Sequence, residues 1–192
     1  MLKWSEFKTK VKITLILISS IWFVFVLSLI FPAMTTNGIH PRNVHALIGI
    51  FGSPFLHANF GHLLSNTLPL AVFILILLVF YERVALWVIL LSIVLGGFMV
   101  WLLARPANHI GASGLIYSLA AFLIVSGLIR KNWILMIVSI FLALAYYGLI
   151  MGLVPGIAGD GVSWEGHLFG AIAGVILAFF FRPPANSRSR NN

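Results

Sequence analysis

Residues 84–104 read VALWVILLSIVLGGFMVWLLA, an uncharged run closed at its two ends by Arg83 and Arg105. A helix needs about 20 apolar residues to cross a hydrocarbon core about 30 Å thick, so this run is read as a membrane span. Working outward, five more runs of similar character lie at roughly 13–31, 61–80, 112–129, 133–151 and 164–181. The run at 61–80 opens with GHLLSN and holds Pro69, and that at 112–129 is broken early by Gly114 and Ser118. Polar positions inside a span are costly, which makes them functional suspects. The expected fold class is an all-α membrane protein, a bundle of six transmembrane helices.

Composition agrees. The chain is 61% apolar and 8% charged, against about 45–50% and about 25% in soluble domains. No soluble fold of this length can hide so much apolar surface, so its solvent is the lipid bilayer. There is no cysteine, which excludes a disulfide, a thiolate nucleophile and a Cys-based metal site. The net charge of +8 would suit nucleic acid, but the cations sit at the ends of apolar runs and not along one face. They read as topology signals, and no nucleic-acid partner is expected.

With a cytoplasmic N-terminus, the inside segments hold Lys3, Lys8, Lys10, Lys12, Arg83, Arg130, Lys131, Arg182, Arg188 and Arg190, and the outside segments hold Arg42 and Arg105. That bias fixes the orientation and an even number of crossings. The organisation expected is a cytoplasmic segment 1–12, a helical core 13–182 and a cytoplasmic tail 183–192. The basic leader before the first run is compatible with a signal peptide, but the run is longer than a usual h-region and no A-x-A site follows. It is read as a retained span. The outside segment 32–60 contains LIGIFGSPFL and is expected in the membrane interface; GLVPGIAGDGVS at 152–163 reads as a mobile loop.

In this topology the second, fourth and sixth helices all start on the outer side. Their N-terminal ends carry His57, His62 and Asn66, then Ser113 in GASG, then His167 in EGHLFG. Ser113, between small residues at a helix start, sits where free N–H groups favour developing negative charge. Taken alone, GASG also fits a packing motif or an N-cap serine. His167, followed by Gly170 and Gly174, can approach a neighbouring helix; it suits a general base, an interhelical hydrogen bond or a metal ligand. No acidic residue inside the helices is placed to orient it, so the arrangement would be a dyad, with Glu165 pointing elsewhere. His62 and Asn66, four apart, share one helix face and suit either charge stabilisation or helix–helix glue. Tyr117, four after Ser113, suits a ring packed on His167 or an interfacial aromatic. A His57–His62–His167 metal or haem site is disfavoured by the five-residue spacing of the first pair. A transporter is disfavoured because no internal repeat is seen.

With these residues in hand, the chain resembles the rhomboid intramembrane serine proteases, in particular the compact six-helix bacterial form. The matching elements are H-x4-H-x3-N in HANFGHLLSN, G-x-S-G-x3-Y in GASGLIY and H-x2-G-x3-G in HLFGAIAG, in the family's order. The resemblance covers roughly residues 13–182. It implies Ser113 as nucleophile, His167 as general base, and His62 and Asn66 with the Ser113 N–H as the oxyanion site. It further implies that Gly111 shapes the turn, Tyr117 stacks on His167 and His57 supports the polar network. The implied substrates are transmembrane proteins cut in or near a membrane segment, with no cofactor, in a plasma membrane, at a site open to the outer side. The fifth helix and the loop before the sixth are linked to substrate access. Two features depart from many relatives: Gly166 stands where Ala is frequent before the histidine, and the first outside segment lacks a Trp-Arg pair. A non-cutting member that binds membrane clients is the rival within the family, and the presence of both dyad residues speaks against it.

Overall fold

The computed structural model describes residues 3–131, 133–145 and 163–182. Six long helices dominate the described residues: α1 (Trp4–Ile30), α2 (Phe60–Phe80), α3 (Ala85–Leu103), α4 (Ser113–Arg130), α5 (Trp133–Ala145) and α6 (Trp164–Phe180). Four of them, α1 to α4, are long and apolar enough by themselves to cross a membrane. Among the described residues there is no β-strand, only an isolated antiparallel bridge between Ile39 and His109. The fold is an all-helical bundle of apolar helices, as the sequence leads one to expect of a membrane protein. The expected part of the fifth helix beyond residue 145, the glycine-rich loop up to 162 and the tail from 183 lie outside the described residues.

Helix α1 begins nine residues before the apolar run does. Glu6 reaches back to accept the Lys3 N–H at 3.2 Å, which helps start the helix early. Its 27 residues span about 40 Å at about 1.5 Å per residue, more than a bilayer core, so hydropathy saw only the apolar part. Lys10 is buried and paired with Glu82 at 2.7 Å, which ties the first turns of α1 to the α2–α3 hairpin.

The core is built from the facing sides of α1, α2, α3, α4 and α6, with Leu135 of α5 also buried in it. Phe73, Ile74 and Leu77 of α2 meet Leu119, Phe122 and Leu123 of α4, with Val88, Leu177 and Ile21 around them. Outward faces carry residues such as Phe23, Leu86, Phe141 and Phe180, as lipid requires.

α4 and α6 form the tightest pair, and glycine is the reason. A methyl group at Gly170 would strike the Gly114 carbonyl oxygen, and one at Gly174 the Ser118 carbonyl oxygen. The two backbones therefore meet directly. The segment 31–59 lies against α3: Ile39 and Ile50 pack on Val100 and Ala104. Arg42 donates to the carbonyls of Leu102 at 3.3 Å and Ala104 at 2.9 Å, the exposed end of α3, and Trp101 donates to the Asn43 carbonyl at 3.0 Å. The Arg42 backbone N–H also donates to the Trp101 carbonyl at 2.8 Å.

Candidate active site

The antiparallel packing brings the N-termini of α2, α4 and α6 to one end of the bundle. There Ser113 and His167 meet, with Ser113 Oγ and His167 Nε2 2.8 Å apart. Ser113 is the first residue of α4, so its N–H has no acceptor within the helix. His167 is 7% exposed. The Tyr117 ring lies parallel to its imidazole, centroids 4.3 Å apart and planes 14° apart. Glu165 is buried and pairs with Arg105 at 3.4 Å, away from this dyad.

The turn before Ser113 is unusual. Gly111 has φ +116, a left-handed value open to glycine. A Cβ here would also come within 2.7 Å of the His62 imidazole. Gly111 is held from behind, its N–H donating to the Ser53 carbonyl at 2.9 Å. The loop packed on α3 therefore fixes the backbone leading to Ser113.

α2 supplies the other side. Asn59 caps it by accepting the His62 N–H at 2.9 Å. His62 lines a cavity of about 420 Å³ shared with Asn59, Ser65, Asn108, Ser113, Ser163 and His167. Asn66 does not line it: the side chain is buried, and its Nδ2 donates to the His62 carbonyl at 2.6 Å. The two residues share a face as the spacing requires, but the amide is turned back along its own helix.

His57 lies just before α2 and is 1% exposed. Its ring sits edge-on to His62, centroids 5.1 Å apart. Nδ1 approaches the Phe55 carbonyl at 3.3 Å; a carbonyl only accepts, so Nδ1 carries the proton. Nε2 is then a bare acceptor, without a hydrogen-bond partner among the described residues. Burial, and secondarily His62, push the His57 pKa down from 6.5 to about 4. The ring is neutral at physiological pH.

Sequence reasoning singled out Ser113, His167, Tyr117, Gly111 and His62, and the structure brings all of these together. It keeps Asn66 and His57 one layer back. It adds two residues the sequence reading passed over. His109 Nδ1 and Ser163 Oγ are 2.6 Å apart, and Ser163 caps α6 by accepting the Gly166 N–H at 3.1 Å. A serine just before an apolar helical run is a cap signal; nothing local marks His109.

This arrangement can activate a hydroxyl with an imidazole, beside helix-start N–H groups that have no acceptor within the helix and a second imidazole, in a cavity roomy enough for water.

The family model of the Rhomboid domain matches residues 44–184. An uncharacterized protein of Mycobacterium tuberculosis is 39% identical over 160 residues, covering 79% of this chain and 66% of that protein. One of Mycobacterium leprae is 40% identical over 161 residues, covering 79% and 63% respectively. A protein of Acanthamoeba polyphaga mimivirus, named as a rhomboid protein, is 28% identical over 144 residues, covering 69% of this chain and 74% of that one. The chain thus spans slightly less than two thirds of the length of the mycobacterial proteins.

Proposed function

The chain belongs to the Rhomboid family, and from that premise we propose that it is a serine endopeptidase cutting transmembrane segments of membrane proteins. The observation that carries this reading is the 2.8 Å contact of Ser113 Oγ with His167 Nε2 at the N-terminus of α4. The protein is a multi-pass membrane protein of an intramembrane-protease family. The dyad, the plasma-membrane location, cytoplasmic termini and an outward-facing site belong to the proposal, as does the division into a core 13–182 with flanking segments 1–12 and 183–192.

In this mechanism Ser113 donates its proton to His167 Nε2 while Oγ attacks the scissile carbonyl carbon. The carbonyl oxygen gains the negative charge. The Ser113 N–H and the His62 imidazole stabilise it, and Asn66 braces His62 through its carbonyl. Collapse of the tetrahedral species breaks the C–N bond, and His167 returns the proton to the leaving amine. Water from the cavity then attacks the acyl-enzyme, giving its proton to His167, and breaking of the C–O bond expels Ser113 Oγ, which takes that proton back from His167 and regenerates the hydroxyl. Tyr117 keeps the imidazole plane fixed, and His57 backs His62. A transmembrane substrate hides its peptide bonds in helical hydrogen bonds, so it must unwind before attack. Helix-weakening Gly or Pro near the cut favours that step.

The test is cleavage of a tagged single-span substrate by purified protein in liposomes, with Ser113→Ala and His167→Ala as comparisons. Loss of cutting in both, with folding retained, supports the dyad. Undiminished cutting by either variant refutes it. Failure of the wild type both to cut and to react at Ser113 with a fluorophosphonate would point instead to a non-cutting client binder.

A further inference from the structure

The dyad is one of two rungs between the same pair of segments. Ser113 meets His167, and four residues earlier on both segments His109 meets Ser163; each pair is 54 residues apart in sequence. We propose that His109 is a positioning residue that acts through Ser163 to set the first turn of α6, and thereby the distance of His167 from Ser113. The proposal rests on the protease reading above and goes beyond it in naming what holds the dyad together.

The protons can be placed. His109 Nε2 lies 3.0 Å from the Arg105 carbonyl, which only accepts, so Nε2 carries the hydrogen. Nδ1 of the neutral ring is then an acceptor, and the Ser163 hydroxyl donates to it at 2.6 Å. The Ser163 oxygen in turn accepts the Gly166 N–H at 3.1 Å, and the Ser163 carbonyl accepts the His167 N–H at 3.3 Å. One chain of hydrogen bonds thus runs from Arg105 through His109 and Ser163 to the backbone of the base.

The other end of this rung is fixed as well. His109 exchanges two backbone hydrogen bonds with Ile39, both 3.0 Å. Asn108 donates to the Thr35 carbonyl at 2.7 Å and accepts the Gly38 N–H at 3.0 Å. His109 is 4% exposed, so an unpaired ring nitrogen would be costly. The groups facing it are Arg105 on its own segment, Glu165 on α6 and His40 on the segment against α3. Burial outweighs the Arg105 carbonyl and Glu165, and holds its pKa below 6.5. Protonation at low pH would reverse the bond to Ser163 and strand the serine proton. The rung would loosen before the bundle unfolds.

Amide replacements separate the two nitrogens. Asn presents an acceptor near the position of Nδ1, whereas Gln presents a donor near that of Nε2. The experiment compares wild type, His109→Asn, His109→Gln, His109→Ala, Ser163→Ala and the His109→Ala/Ser163→Ala double variant. It reads liposome cleavage across acid to neutral pH, fluorophosphonate labelling of Ser113, and backbone hydrogen exchange over residues 164–168. Expected are losses in kcat of about five- to tenfold for Ala and Gln with KM little changed, and near-wild-type rates for Asn. The double variant should be no worse than the poorer single one. The acid limb of kcat should be less steep in the Asn variant. Equal loss in Asn and Gln, or multiplying losses at the two sites, overturns the proposal. A wild type that neither cuts nor labels overturns the protease reading instead. Hydrogen exchange then decides the rung alone: faster exchange in the Gln and Ser163→Ala variants but not in the Asn variant upholds it, and any other pattern overturns it.

Discussion

Tyr117 and His167 lie face to face, centroids 4.3 Å apart with planes inclined by 14°. The stack leaves the imidazole little freedom to turn its edge away from Ser113. The ring face matters here, not the hydroxyl. Tyr117→Phe is therefore expected to keep cleavage within about threefold, while Tyr117→Ala loses about tenfold, mostly in kcat. Steady-state kinetics in liposomes check this.

Gly111 carries two constraints at once, its φ of +116 and the His62 ring 2.7 Å from where a Cβ would sit. Gly111→Ala must either shift the turn or push His62 out of the cavity. Strain at one position costs about 1–3 kcal/mol, which a bundle can absorb. The rate is more sensitive, since in the proposed mechanism the nucleophile and the oxyanion donors depend on that turn. The expected result is a folded protein with cleavage down about 100-fold or more, measured by thermal unfolding and kinetics on the same preparation.

His62 lines the cavity, while Asn66 sits behind it with its Nδ2 on the His62 carbonyl. A group facing the developing charge matters more than one bracing it. His62→Ala is expected to lower kcat by about 100-fold and Asn66→Ala by about tenfold or less. The reverse order in a kinetic comparison would put Asn66 in direct contact with the oxyanion.

The division between what the chain reveals locally and what only folding reveals is clear in these residues. Spans were legible because lipid imposes a length and a composition that hydropathy reads directly. The start of α1 was not, because its first turns are polar and are held by the Lys3 N–H bond to Glu6 and the Lys10–Glu82 pair. Helix spacing placed His62 and Asn66 on one face, but rotamers decide which way an amide points. Arg42 with Trp101, and His109 with Ser163, join residues far apart in sequence. Such pairs depend on how helices dock, which no local pattern encodes.

The α4–α6 contact gives a stability prediction with an internal control. A methyl at Gly170 or Gly174 would meet backbone oxygens that cannot move aside, whereas at Gly52 the nearest atom is 3.9 Å away. Gly170→Ala and Gly174→Ala are expected to destabilise by about 1–3 kcal/mol each and to lower the melting temperature. Gly52→Ala should leave it nearly unchanged. Similar melting temperatures for the three variants would deny that the two backbones meet as described.

His57 titrates at 6.5 when unfolded and at about 4 in the fold, because burial penalises its charged form. The unfolded state therefore binds more protons between these values, and stability falls as pH drops through that window. Above 6.5 the contribution of the neutral ring is fully present; it is lost progressively down to about 4. The full difference corresponds to roughly 3 kcal/mol. Melting curves of wild type and His57→Gln between about pH 7 and about pH 4.5 separate this residue from every other titrating group. The wild type should lose stability more steeply. Parallel curves would mean that His57 takes up its proton in the fold as readily as in the unfolded chain, and would deny that burial holds the ring neutral.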